Sequence, residues 1–274
     1  LVMGSDELTA SGLFEHGRVD VLTRVGQADQ ERFKSGGQLR EDPFWATYYL
    51  GFNTRSSKLS TPAVRCGLAA LIQRDEVVSA LRTPDRPATG WIPPGIEGYL
   101  EQAPRLVSQQ AAPAGLKLSG AFDANPRNQL VMEKIQADWR KAGVELSLSS
   151  MDWKSYLREL KSQVPDVYRL GWLAAFADPV SHLQALTSDN PNNHTGWKSP
   201  SYDALVSRIE KLEPGPERRK LIIETQQILH EKECPVIPIY HYVQTHAVSA
   251  RVEAFAVNGM GVVRWDELRI KPAR

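Results

Sequence analysis

Arg169 and Trp172 are the residues of this chain whose types and placing best suit ligand chemistry. They stand at the end of a strand-like segment, residues 167–172, just before a loop. In open α/β sheets, ligands bind outside the carboxyl ends of the strands. A guanidinium and an indole at such an edge can hold an anionic or amphipathic ligand. Read alone, the pair also fits a core tryptophan beside a surface arginine. Trp153, likewise read alone, fits a core position on its helix.

Catalytic chemistry has little support. The chain contains no G-x-S-x-G, no P-loop and no C-x-x-C. His230-Glu231-Lys232-Glu233-Cys234 misses the zinc-protease pattern, because Cys234 stands where a second histidine is needed. His241 and His246 are five apart, a spacing that suits neither a helix face nor a strand face, so no metal site is expected. Asn258-Gly259-Met260-Gly261 reads as a turn, and Asn193-His194-Thr195 is a formal glycosylation sequon. Cys66 and Cys234 allow one disulfide or two buried thiols.

The elements that must position these residues follow from local pattern. Gly17-Arg18-Val19-Asp20-Val21-Leu22-Thr23 reads as a turn feeding a short strand, and residues 47–53 as an aromatic-rich strand. Thr61-Pro62 opens a helix with Val64, Leu68, Leu71 and Ile72 as its stripe. Residues 84–113, rich in proline, read as an ordered loop region. A helix from about Asn128 carries Val131, Ile135 and Trp139, and Gly143 ends it. Residues 144–149 alternate as a half-buried strand, and Asp152 caps a helix with Trp153, Tyr156, Leu157 and Leu160 on one face. This rhythm predicts an α/β layer with parallel strands. Ser199-Pro200 and Pro216 start two more helices, residues 236–240 form a strand, and residues 262–270 are strand-like.

Size and charge bound the function. With 274 residues, a core can form without a disulfide or metal staple. A net charge of +1 gives no global reason to bind nucleic acid or anionic membranes. No apolar run reaches the length of a membrane span. The first residues lack the regions of a signal peptide, so an exported protein would have lost its signal or carry it on sequence not present here.

Seven strings, in order, resemble the oligopeptide- and dipeptide-binding proteins of ABC importers. Gly17-Arg18-Val19-Asp20-Val21 resembles that family's G-x-x-D-V turn. Tyr48-Tyr49-Leu50-Gly51-Phe52-Asn53-Thr54 resembles its Y-x-x-F-N-T strand. Val64-Arg65-Cys66-Gly67-Leu68-Ala69-Ala70-Leu71-Ile72-Gln73-Arg74 is similar to its V-R-x-A-L-x-x-A-I-D-R helix, and Pro93-Pro94-Gly95-Ile96-Glu97-Gly98-Tyr99 to the loop that follows. Arg169-Leu170-Gly171-Trp172 through Asp178-Pro179 is similar to R-x-G-W-x-A-D-Y-x-x-P. Asn192-Asn193 with Pro200-Ser201-Tyr202-Asp203-Ala204-Leu205, and Cys234-Pro235-Val236-Ile237-Pro238-Ile239-Tyr240, resemble its C-terminal signatures.

The resemblance implies a periplasmic-binding-protein type II-like α/β fold. One lobe would be complete, with a mixed sheet and flanking helices, and a second lobe incomplete. Residues 46–235 would form the complete insertion lobe, with 1–45 a strip of the first lobe and 236–274 the C-terminal return to it. The chain would then be a fragment whose partners are a peptide or other small solute, an ABC permease and the missing N-terminal half. The implied function is non-catalytic binding of a peptide-like solute in an inter-lobe cleft, in the periplasm or another extracytoplasmic space. The alternative is a sensing or interaction module of the same fold, cytoplasmic if fused to a transcription regulator. Arg169, Trp172, Trp153 and Tyr49 match cleft positions. The aspartate that pairs with a peptide amine falls at Ala175, and a second basic position at Leu160. No cofactor, metal, nucleic acid or membrane insertion is implied.

Overall fold

The computed structural model describes residues 6–102 and 114–272. Its elements run α1 (Glu7–Glu15), β1 (Val21–Leu22), α2 (Gln27–Ser35), β2 (Leu39–Phe52), α3 (Pro62–Ala70), α4 (Arg74–Leu81), β3 (Arg86–Pro87), β4 (Lys117–Asp123) and α5 (Pro126–Lys141). They continue with β5 (Glu145–Met151), α6 (Trp153–Ser162), β6 (Val167–Leu173), α7 (Val180–Leu183), α8 (Pro200–Lys211), α9 (Pro216–Gln227), a π-helical turn (Ile228–Lys232), β7 (Val236–Val248), β8 (Val252–Ala254) and β9 (Arg269–Ile270).

One sheet runs β1-β7-β2-β6-β4-β5, with β3 also paired to β7. The expected parallel layer holds for β4, β5 and β6, which α5 and α6 connect. The long strands β2 and β7 pair antiparallel to each other, and β2 to β6, so the sheet is mixed. Helices cover both faces, because each face carries an apolar set at alternate positions. On one face Tyr48, Leu50 and Phe52 pack with Val131, Ile135 and Trp139 of α5. On the other, Tyr49, Tyr168 and Leu170 pack with Tyr156 and Leu160 of α6 and with residues of α8 and α9. A third, smaller core gathers Phe14, Leu22, Val25 and Phe33 around Ala247.

Local signals account for most helix ends. Asn125 caps α5 by accepting from the Arg127 N–H, Pro126 holds the first helical position, and Gly143 follows the helix with φ of 79°. The helix therefore starts two residues earlier than its apolar stripe suggests. Asp152 caps α6 by accepting from the Ser155 N–H. The expected four-residue stripe on α6 is corrected: Tyr156 and Leu160 are buried, but Trp153 in the first turn is 51% exposed. Trp153 stands two residues past the end of β5, in the first turn of the helix.

Other departures have similar causes. The polar opening of the chain hides α1, which buries only Ser11 and Phe14. Residues 84–113 contain the short strand β3, and 103–113 lie outside the described residues. Gln226 orders part of the remaining loop, accepting from the Trp91 and Ile92 N–H groups and donating to Gly98 O at 2.7 Å. The strand-like tail, residues 262–270, is a helical turn, Trp265–Glu267, before the short β9. The turn at Asn258 is present, closed by Gly261 N–H to Asn258 O at 2.9 Å. Asn193 of the sequon spends its side-chain N–H groups on Leu186, Thr187 and Trp197 carbonyls.

Candidate functional site

β4 and β6 run parallel, so Asp123 at the end of β4 meets Arg169 of β6. Arg169 Nη1 donates to Asp123 Oδ1 at 2.9 Å, and Nη2 donates to the Tyr242 hydroxyl at 2.9 Å. Its guanidinium carbon lies 4.4 Å from the centre of the Tyr48 ring. The backbone of Arg169 is fixed as well: its N–H donates to the Tyr156 hydroxyl at 2.9 Å. Burial alone disfavours the Arg169 charge, but Tyr242, Tyr48 and Asp123 more than restore it, so its pKa is raised. Burial pushes the Tyr48 hydroxyl up as well, so it stays protonated at neutral pH.

A second ion pair borders the first. Arg127 Nη1 lies 2.6 Å from Asp85 Oδ2, and its guanidinium carbon lies 5.9 Å from the Tyr240 and Tyr242 rings. Two arginines and two aspartates are thus interleaved with three tyrosines, with their charges balanced. Gly171 is exposed beside this cluster; a Cβ there would lie 3.4 Å from the Tyr242 hydroxyl. The missing side chain leaves Tyr242 and the rim of the guanidinium open to a ligand.

The four residues expected at the site are not on one surface. Side chains alternate along a strand, so Arg169 and Trp172, three apart on β6, point to opposite faces. Trp172 packs against the core that holds Tyr49 and Tyr156, and its indole N–H donates to Ser181 O at 2.8 Å. Tyr49 shares that face but is only 3% exposed, packed edge-on against Trp91 with centroids 4.9 Å apart. Trp153 lies at the carboxyl edge of the parallel strands, its ring 6.2 Å from Tyr156. Leu173 and Phe176 add further exposed apolar side chains where β6 ends.

The loop after β6 is anchored from behind. Arg218 of α9, buried, grips Asp178 through Nη2 at 2.7 and 2.8 Å and Glu97 through Nη1. It ties that loop to the one holding Pro94 and Gly95. Ala175 N–H donates to the Ser181 hydroxyl at 2.7 Å. Asp123, Tyr242 and Arg218 escaped the sequence reading; only the strand-end rule applied to β4 could have pointed to Asp123. Cys66 and Cys234 are disulfide-bonded, and the adjacent Arg65 and Glu233 form an ion pair at 3.3 Å. Among the described residues, no group of three His, Cys, Asp or Glu side chains could hold a metal ion. No described helix is long and apolar enough to cross a membrane.

Comparisons with known proteins converge. Residues 1–194 match the family model described as bacterial extracellular solute-binding proteins, family 5 Middle. The chain is 24% identical to the periplasmic oligopeptide-binding protein OppA of Salmonella typhimurium, over 92% of this chain and 50% of that one. It is 26% identical to the oligopeptide-binding protein OppA of Bacillus subtilis, over 96% of this chain and 53% of that one. The solved structure of HbpA2 from Haemophilus parasuis superposes with a TM-score of 0.88 at 22% identity, covering 99% of this chain and 58% of that one. The fold is therefore the type II-like fold of periplasmic binding proteins, and the chain spans about half the length of the curated relatives it matches.

Proposed function

The chain belongs to family 5 of the bacterial extracellular solute-binding proteins, and from this we propose that it forms the ligand lobe of a peptide-binding component of an ABC importer. The two OppA relatives named above are oligopeptide-binding proteins. One feature of the carboxyl edge carries the proposal most directly: exposed Gly171 uncovers the Tyr242 hydroxyl and the rim of Arg169, and Trp153, at the start of α6, is exposed as well. A peptide offers both carbonyl groups for the former and apolar side chains for the latter.

In this proposal Trp153 and Trp172 contact apolar parts of the solute, Arg169 its polar parts, and Tyr49 backs Trp172 from the core. No step is catalytic: two lobes close on a ligand, which shifts the population toward the closed state. Residues 46–235 make the ligand lobe, and 1–45 and 236–274 are strips of the other. The register break of β2 between Pro43 and Thr47 supports the first of these boundaries.

An extracytoplasmic location is supported by the Cys66–Cys234 disulfide, since such bonds persist in oxidising compartments. The same bond disfavours a cytoplasmic sensor. Titration calorimetry with short peptides tests the proposal. Trp172→Ala should weaken binding roughly tenfold, about 1.4 kcal/mol. Peptide affinity unchanged in both Trp172→Ala and Arg169→Ala would contradict the site.

A further inference from the structure

A cavity of about 30 Å³ lies between α4, the loop after β3, the π-helical turn and the start of β7. That is room for one or two water-sized occupants. Arg74 and His230 line it, with Thr89 and the backbone at Cys234 and Pro238. Arg74 Nε donates to Pro238 O at 2.7 Å. Among the described residues, no carboxylate forms an ion pair with its guanidinium. His230 is 7% exposed, and its Nε2 has no hydrogen-bond partner among the described residues. Arg74 is partly exposed and brings its charge to the cavity wall. A buried imidazole with an idle nitrogen is costly.

We propose that this cavity binds a small monovalent inorganic anion of halide size, held by the Arg74 guanidinium and an N–H of neutral His230. About 30 Å³ suits a halide better than sulfate or a larger oxyanion. The protonation states suit an anion: burial draws Arg74 down only to about 10, so it is charged at neutral pH. Burial, followed by the Arg74 charge, draws His230 to about 3, so it is a neutral donor there. The surrounding backbone is unusual in the same place, with a π-helical turn at 228–232 and Cys234 at φ of 46°. Such π-turns recur at functional sites. The cavity shares none of its lining residues with the peptide-binding proposal and does not rest on it.

Crystals soaked in bromide provide the direct test. An anomalous peak between Arg74 and His230 is expected. In solution, about 100 mM chloride or bromide should raise Tm by about 3 °C over gluconate at equal ionic strength. Arg74→Gln should abolish that difference, whereas Lys154→Gln on the exposed start of α6 should keep it. No peak in the cavity, or a halide effect that survives Arg74→Gln, overturns the proposal. A peak without any halide-specific shift marks an adventitious ion only and overturns it equally. If Arg74→Gln fails to fold, the bromide map and halide shift of the parent chain decide.

Discussion

Asp123 of β4 and Arg169 of β6 form an ion pair, with Oδ1 and Nη1 2.9 Å apart. The arginine is therefore already neutralised before any ligand arrives. A ligand carboxylate would have to compete with Asp123 for it. Uncharged parts of a solute meet no such competition, and Tyr242 lies beside exposed Gly171 to receive them.

Asp123→Asn should separate the two roles of this pair. Breaking one partner of a buried ion pair costs roughly 3 kcal/mol or more, which urea denaturation would register as a lower midpoint. The freed guanidinium should then favour a free-acid peptide over its C-terminal amide, as calorimetry would show. Equal preference before and after the substitution would mean that Asp123 does not limit Arg169.

Reduction of the Cys66–Cys234 bond should destabilise the chain. The bond joins residues separated by 168 positions, and closing so long a loop contributes roughly 2–5 kcal/mol. The midpoint in guanidinium should fall on adding reductant, and the Cys66→Ser/Cys234→Ser double variant should match the reduced protein. An unchanged midpoint would show that α3 and the segment before β7 are held together without the bond.

Stability should fall as pH drops below the ordinary histidine range. Burial draws His182, His230 and His241 to about 3 in the folded chain, against an unfolded value of about 6.5. Between those values the unfolded chain binds more protons, so stability rises with pH. It is fully present above about pH 6.5 and is lost progressively toward pH 3. Each histidine contributes up to about 1.4 kcal/mol per pH unit in that window. Denaturant midpoints measured at pH 7, 6, 5 and 4 should decline in order. A flat profile from 7 to 5 would contradict the burial of these rings as neutral groups.

Gly51 is required by its cross-strand partner. A Cβ at this position would lie 2.0 Å from Cζ of Tyr168. Gly51→Ala should therefore cost about 1–3 kcal/mol or more by overpacking. Pairing it with Tyr168→Leu should recover part of that loss relative to the sum of the single variants. Additive losses, seen by thermal denaturation, would mean that the two sites do not share the space.

The helices were legible where punctuation and periodicity agree: Pro126 and Gly143 bracket α5, and Val131, Ile135 and Trp139 are buried along it. The strands were legible only in part. The aromatic half of β2 stood out, but Leu39 to Trp45 did not, because that half is polar and only partly buried. Trp172 stands near the end of β6 as expected, but Arg169 is its third residue, and alternation sends the two to opposite faces. Asp123 lies 46 residues before Arg169, and Tyr242 lies 73 after it. No local pattern encodes such long-range pairing; the sheet order creates it. Trp153 misled because helical spacing reports which residues share a face, not which of them are covered.

Hydrogen exchange of the chain, with and without a saturating short peptide, most directly tests whether this carboxyl edge is a solute-binding wall. Slower exchange is expected at amides 153–156 and 171–178, with the outer strand β5 and helix α8 unchanged. Protection confined to other segments, or none at a concentration where calorimetry records binding, would contradict the account.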